Sequence, residues 1–271
     1  MQRVLKVAIC AGFLALAAST PVAFADDAPA QAAPDAVGPA VPPLEPKALE
    51  ILKAASATLA ATKTLQFTAI SSYERAARNA QPLYFSLVHE VTVEKPDKLR
   101  VITPGDGTPD EFYYDGKTMM AYVPSADLVA VSDAPPTLDK LIDEAWSKAA
   151  IYFPFEDIIV SDPLAELSKR MKSAFYVGQS IAVGGVKTDM VAVAGDDVAA
   201  EVWIGADDHL LRLVRVAYAN EPARAHYETQ FSNWKLNEPV PADAFTSQKA
   251  AKAARIEFAP PGNLQPPPAV K

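Results

Sequence analysis

Five strand-like runs follow one another between Phe175 and Trp234, and their connections are too short to hold a crossover helix. Parallel neighbours need a dozen or more connecting residues, so these runs must pair antiparallel. They are Phe175 to Val183, Lys187 to Val193, Ala200 to Ile204, Leu210 to Tyr218 and Ala225 to Trp234. Gly184-Gly185 supplies a hairpin turn, while Asp196-Asp197 and Asp207-Asp208 fall between runs at the spacing of consecutive strands.

The first half of the chain carries the same signal. Leu65, Phe67, Ala69 and Ser71 alternate with polar neighbours. Leu83, Phe85, Leu87, His89, Val91 and Val93 then share one face of a longer strand, opposite Tyr84, Ser86, Val88, Glu90, Thr92 and Glu94. A short strand through Leu99 and Val101 precedes Phe112 to Tyr122, two aromatic-rich arms around Asp115-Gly116. That dipeptide predicts a type I′ turn with φ > 0 at both central residues. Another strand follows at Leu128 to Val131, and Arg255 to Phe258 is a last short run placed to cover an edge.

Helical periodicity interrupts this pattern in three places. Ala48, Ile51, Leu52, Ala55 and Leu59 form one apolar face behind Pro46. After Pro135-Pro136, with Thr137 as N-cap, the residues Leu138, Leu141, Ile142, Ala145, Trp146 and Ala149 make an apolar stripe. The aromatic knot Tyr152-Phe153-Pro154-Phe155 separates this helix from a third one, capped by Asp162-Pro163, with Leu164, Leu167 and Met171 along its buried edge. The expected fold class is mainly β (α+β), with roughly ten to twelve strands and about three helices in one sheet-built domain.

The N-terminus reads as an address. Arg3 and Lys6 precede an apolar run, Val7 to Ala18, that is too short to span a bilayer, and Ala23-Phe24-Ala25 matches a cleavage site. Residues 1–25 are therefore expected to be a signal peptide, with residues 26–43 a Pro/Ala-rich linker and residues 260–271 a similar tail around one domain at 44–259. The single cysteine, Cys10, lies inside the apolar run, so a mature chain holds no disulfide, thiolate site or lipid-modified cysteine. Without Arg3 and Lys6 the balance is 23 basic against 33 acidic residues, net −10, which argues against nucleic acid and anionic lipid surfaces as partners. The address is the periplasm of a Gram-negative bacterium, with no stable membrane anchor.

Catalytic signatures are absent from the sequence. His89, His209 and His226 have no metal-ligand spacing. His89 lies on an apolar strand face, as a core or cavity histidine, and the paired aspartates read as solvated turn residues. No nucleophile elbow, P-loop or dinucleotide fingerprint occurs, and no cofactor is expected. The apolar side is richer. Because a curved sheet roofed by helices often encloses a cavity, the candidate cavity or cover residues are Phe85, His89, Tyr114, Tyr122, Leu138, Leu141, Ile142, Trp146, Phe153, Phe155, Trp203 and Phe231.

A series of short segments carries a resemblance. Lys95-Pro96-Asp97-Lys98-Leu99-Arg100, Tyr114-Asp115-Gly116-Lys117-Thr118, Asp133-Ala134-Pro135-Pro136-Thr137, Asp162-Pro163, Tyr176-Val177-Gly178, Val202-Trp203-Ile204 and Phe231-Ser232-Asn233-Trp234 occur in order. Together they resemble a family of predicted periplasmic proteins of unknown function, similar in turn to the LolA/LolB-like lipoprotein carriers. The resemblance implies an open, strongly curved antiparallel half-barrel, an unclosed barrel whose helices cover the concave face over an apolar cavity.

The leading functional expectation is a non-enzymatic carrier for a lipid, acyl chain, lipoprotein or other apolar ligand. The alternative is an envelope protein-interaction or stress-sensing module that recognises a periplasmic protein with the same half-barrel. A hydrolase with an unmarked site stands behind both. In the carrier reading the helix from Thr137 to Ala150 is a cover over the open sheet.

Overall fold

The computed structural model describes residues 43–79, 81–105, 109–196, 198–218 and 226–259. The signal peptide, the linker to residue 42 and the tail from residue 260 lie outside the described residues, as do Asp197 and Ala225. Helix α1 (Pro46–Ala60) leads into the long hairpin of β1 (Thr64–Ala76) and β2 (Pro82–Glu94). Then come β3 (Lys98–Thr103), β4 (Asp110–Tyr114), β5 (Thr118–Val123) and β6 (Leu128–Asp133). Three helices follow: α2 (Leu138–Ala149), α3 (Glu156–Ile159) and α4 (Pro163–Ser168). A second series, β7 (Ser173–Ser180), β8 (Thr188–Ala194), β9 (Val198–Gly205), β10 (Leu211–Tyr218) and β11 (His226–Leu236), precedes α5 (Gln248–Lys252) and β12 (Ala254–Ile256).

All twelve strands join one sheet in the order β12-β6-β5-β4-β3-β2-β1-β11-β10-β9-β8-β7. Every neighbouring pair is antiparallel except β12 and β6, where Ala254, Arg255 and Ile256 run parallel to Leu128, Val129 and Ala130. The architecture is thus mostly β, in one open curved sheet. It carries five helices where three were expected, because α3 and α5 are four and five residues long. Elements that short cannot show a repeat of 3.6 in sequence.

Both outer edges of the sheet are partly occupied. The edge of β6 takes β12. On β7, the Glu45 N–H donates to the Ala174 carbonyl at 2.8 Å, and the Ala174 N–H to the Pro43 carbonyl at 2.8 Å. Such edges invite pairing with other chains when left open. The longest separation lies at the join of β1 and β11, where Ala69 pairs with Phe231 and Ser71 with Thr229.

Strand alternation divides the residues between two faces. Leu65, Phe67 and Ala69 of β1, Val91 and Val93 of β2, Leu99 and Val101 of β3, and Phe112 and Tyr114 of β4 are buried together with one face of α2. That face presents Leu138, Leu141, Ile142 and Ala145. The stripe expected from sequence is corrected at its end, since Trp146 is 60% exposed. A helix of 100° per residue rolls the fifth member of a broad stripe past the contact line, and the facing sheet is already filled. On the opposite face α5 covers Tyr122 and Val129 with Ala250 and Ala253.

The Asp115-Gly116 turn forms with a different centre. Tyr114 pairs with Met119, and the Asp115 N–H donates to the Thr118 carbonyl, so Gly116 and Lys117 are the central residues. Of the two only Gly116 has φ > 0, at +92°, which is the demand of a type II′ and not a type I′ turn. The Asp115 carboxylate explains the shift. It accepts from the Lys117 and Thr118 N–H groups at 2.9 and 2.8 Å and from the Thr118 hydroxyl. Burial opposes its charge, but those donors prevail and hold its pKa below the usual value.

Helix α2 is pinned at its entrance. Thr137 caps it by accepting from the Lys140 N–H, and the Leu138 N–H donates to the Pro96 carbonyl at 2.9 Å. The Tyr114 hydroxyl donates to the Pro135 carbonyl at 2.5 Å, and the Ala134 N–H to the Lys117 carbonyl at 2.8 Å. Lys95 ties two other helices, its ammonium donating to the Leu59 and Val160 carbonyls at 3.0 and 3.3 Å. Among the described residues no helix is long and apolar enough to cross a membrane.

Candidate binding cavity

The concave face is filled unevenly, and side-chain size is the reason. Over β1 to β4 it carries interlocking aromatics. Phe67 meets Phe155 edge-on at 5.6 Å, Phe112 meets Phe153 at 5.1 Å, and Phe67 lies 4.7 Å from Trp234. Over β8 to β10 the same face offers Val193, Ala200, Val202, Val214 and Val216. Small and β-branched side chains fill less of the space beneath the helices than the aromatics do. A cavity of about 650 Å³ remains between these strands, β11, and the helices α1, α3 and α4.

Its roof is Leu52, Ala55 and Leu59 of α1 together with Leu164, Leu167 and Met171 of and after α4, and its inner wall adds Phe155, Ile204, Leu211 and Phe231. The Asp162 cap, accepting from the Ala165 N–H at 3.0 Å, and the Ser56 hydroxyl, accepting from the Leu164 N–H at 3.1 Å, fix α4 over the opening. The rim is charged and exposed. Lys169 pairs with Glu166 at 2.5 Å, Arg170 with Asp157 at 3.1 Å, and Lys172 with Asp196.

One end of the lining is polar: Tyr152, Glu156, Tyr218 and Tyr227. The Thr229 hydroxyl donates to the Tyr227 phenol oxygen at 3.1 Å and is itself 3.1 Å from the Ser71 hydroxyl. Burial is the main cause that raises the pKa of Tyr227, so it stays a neutral phenol. Glu156 is pushed up to about 7, chiefly by desolvation, with Asp157 and Asp143 adding to the shift and Arg170 opposing it.

Of the twelve residues expected at a cavity or its cover, Phe155 and Phe231 line this one. Phe153 packs against Phe155 at 5.8 Å, and Tyr114, Leu138, Leu141 and Ile142 belong to the solid part of the core. His89 is buried behind Phe155, with ring centroids 5.9 Å apart. Its Nδ1 lies 3.1 Å from the Thr103 hydroxyl, its Nε2 has no partner among the described residues, and desolvation lowers its pKa to about 4. Phe85 is 40% exposed and stacks on Tyr73 at 5.6 Å. Trp146 stands outside on α2, which contributes nothing to the lining.

Tyr122 and Trp203 are on the other face of the sheet. Tyr122 lies under α5, and Trp203 packs with Val183, Leu213 and Met190 beneath the Arg215 guanidinium, 5.2 Å from its ring. Alternation decides this. The neighbours of Trp203, Val202 and Ile204, take the concave side. The same alternation could have found Tyr218 and Tyr227, which share a face with Val214, Val216, Thr229 and Phe231. Among the described residues no group of three or more His, Cys, Asp or Glu is placed to hold a metal ion.

Comparison with solved structures returns folds of low identity. Pseudomonas aeruginosa MucB in its complex with MucA is 15% identical over 75% of this chain and 62% of that one, with a TM-score of 0.41. The chain thus spans less than two thirds of the MucB chain it matches. A DUF1329 family protein from Desulfovibrio piger is 12% identical over 73% of this chain and 97% of its own, at a TM-score of 0.37. A LolA superfamily protein from Nitrosomonas europaea is 10% identical over 74% and 97%, at 0.35. No curated protein matches the sequence. A family model, however, matches residues 48–259, and by that match the chain belongs to the predicted periplasmic proteins of the DUF2092 family.

Proposed function

We propose that the protein is a non-enzymatic periplasmic carrier that holds a lipid, an acyl chain or another apolar molecule in the cavity under α1, α3 and α4. One observation carries this reading: an apolar-walled space of about 650 Å³ is left open between well-packed elements. That volume falls within the roughly 300–1,000 Å³ of small-molecule sites, and inside the charged rim the phenols and Glu156 gather at one end. Leu211 and Tyr218 are seven residues apart on β10, so at about 3.3 Å per residue the wall runs about 23 Å, the shape of an extended chain.

Uptake of N-phenylnaphthylamine, an uncharged apolar fluorophore, tests the reading on protein stripped with organic solvent. The expected outcome is saturable, one-to-one enhancement of fluorescence. Ala200 lines the cavity on a sheet face with open space above it. Ala200→Phe should therefore remove uptake while leaving the unfolding temperature within a few degrees. Uptake that is absent in the natural protein, or unchanged in the variant, refutes the carrier. The carrier reading also expects export with cleavage after Ala25, so that N-terminal sequencing of the periplasmic protein starts at Asp26.

A second reading, an envelope protein-interaction or stress-sensing module, has its own support. Leu83, Tyr84 and Phe85 are 40%, 61% and 40% exposed, on a stretch of β2 that precedes its first pairing with β3 at Glu90. If that reading is correct, a polypeptide co-purifies with the protein and is lost in Tyr84→Lys, while fluorophore uptake persists.

A further inference from the structure

The polar groups of the cavity gather where β10 ends and β11 begins. Val214, Val216 and Tyr218 follow one another on the concave side of β10, and Tyr227, Thr229 and Phe231 on that of β11. The apolar wall thus gives way to phenols along each strand. Tyr152 and Glu156, from the segment between α2 and α4, complete that end, and the phenols of Tyr152 and Tyr227 both feel Tyr218 and Glu156.

The cations of the lining are already paired. Among the described residues Lys169, Arg170 and Lys172 are engaged by Glu166, Asp157 and Asp196. The Glu156 side chain is half-buried and, among the described residues, has neither a hydrogen bond nor an ion pair. It faces Asp157 on its own helix, Asp143 of α2, Arg170 beyond α4, and the phenols of Tyr152, Tyr218 and Tyr227.

We propose that this end of the cavity is a head-group subsite that selects an uncharged, hydrogen-bond-accepting head, such as an ester or amide carbonyl, and that Glu156 excludes a free carboxylate. The inference rests on the carrier reading. The phenols of Tyr152 and Tyr227 supply O–H donors to a carbonyl, whereas a carboxylate head would lie beside the Glu156 carboxylate, and the cation that faces Glu156, Arg170, is already paired with Asp157. The raised pKa of Glu156 adds a pH dependence with a definite sign. Protonated, Glu156 is one more donor to the head; ionised, it is a repelling charge. Binding that prefers the protonated form weakens as pH rises through 7.

Titration calorimetry with methyl dodecanoate and dodecanoate, run from pH 5.5 to 8.5, tests it, with dodecylamine as the cationic control. At pH 8 the ester is expected to bind at least about tenfold more tightly than the carboxylate, a difference near 1.4 kcal/mol. The gap should shrink toward pH 5.5, and in Glu156→Gln both the gap and the pH dependence should largely vanish. Tyr152→Phe, at a half-exposed position, should weaken the ester severalfold, which guards against a Glu156 variant that fails to fold. Equal affinity of ester and carboxylate overturns the subsite and leaves the carrier standing. So does tightest binding of the amine with affinity rising through pH 7. Failure of all three probes to bind at any pH overturns the carrier itself.

Discussion

His89 is a buried imidazole beside the Phe155 ring, with one nitrogen satisfied by Thr103 and the other without a partner among the described residues. Its folded pKa of about 4 lies below the ordinary 6.5 because burial penalises the cation. The unfolded chain therefore binds the proton first, so the stabilisation is complete above pH 6.5 and is lost as pH falls toward 4. A shift of that size corresponds to about 3 kcal/mol, at about 1.4 kcal/mol per unit. Unfolding midpoints measured between pH 7 and 4 should drop steeply in the natural protein and much less in His89→Leu. Gly116 makes a second prediction at this scale. Its φ of +92° and a Cβ position 2.8 Å from the Asp97 carboxylate leave no room for a side chain. Gly116→Val should cost on the order of 1–3 kcal/mol in chemical denaturation.

Helix α2 shows what sequence periodicity resolves and what it does not. Its limits, its Thr137 cap and its four inner residues were legible, since a stripe at 3.6-residue spacing has to meet an apolar surface. Which surface it meets, and how much of the stripe is covered, depends on chain more distant in sequence. Pro96, Tyr114 and Lys117 fasten its entrance, and the Asp139 carboxylate accepts from the Ser161 N–H and hydroxyl at 3.1 and 2.9 Å. A helix held in this way over solid core plugs the sheet and leaves the cover to α1 and α4. Leu141→Ala should accordingly cost about 2–5 kcal/mol. Trp146→Ala should cost under about 1 kcal/mol, as at other exposed positions, and should leave fluorophore uptake unchanged.

At the scale of the molecule, antiparallel order within each series of strands was legible from connection lengths alone. The join between the two series was not, because nothing local in Thr64–Ala76 or His226–Leu236 names the other as its partner. The place of the cavity was hidden for the same reason. It depends on the large residues Phe67, Phe153 and Phe155 meeting over one half of the sheet while Ala200, Val202 and Val214 face the helices over the other. The turn at Asp115 slipped by one residue because a side-chain carboxylate took the place of a backbone acceptor.

The seam between β1 and β11 has a kinetic consequence. Ser71 and Thr229 touch across 158 residues of chain, whereas each series on either side of the seam is built from neighbours in sequence, apart from the short β12 on the edge of β6. Local hairpins form in microseconds, but a contact at such separation must first meet the entropy of closing the intervening loop. Two half-sheets should therefore assemble independently and unite late. An early species would have β1 to β6 paired and the outer edge of β1 open, a site for association with other chains until β11 arrives. Substitutions along the seam, Phe231→Ala among them, should speed unfolding while leaving the early refolding phase nearly untouched, as stopped-flow measurements can resolve. The cavity has β11 as one wall, so it comes into being only when the seam closes, and ligand uptake followed during refolding should report that last event.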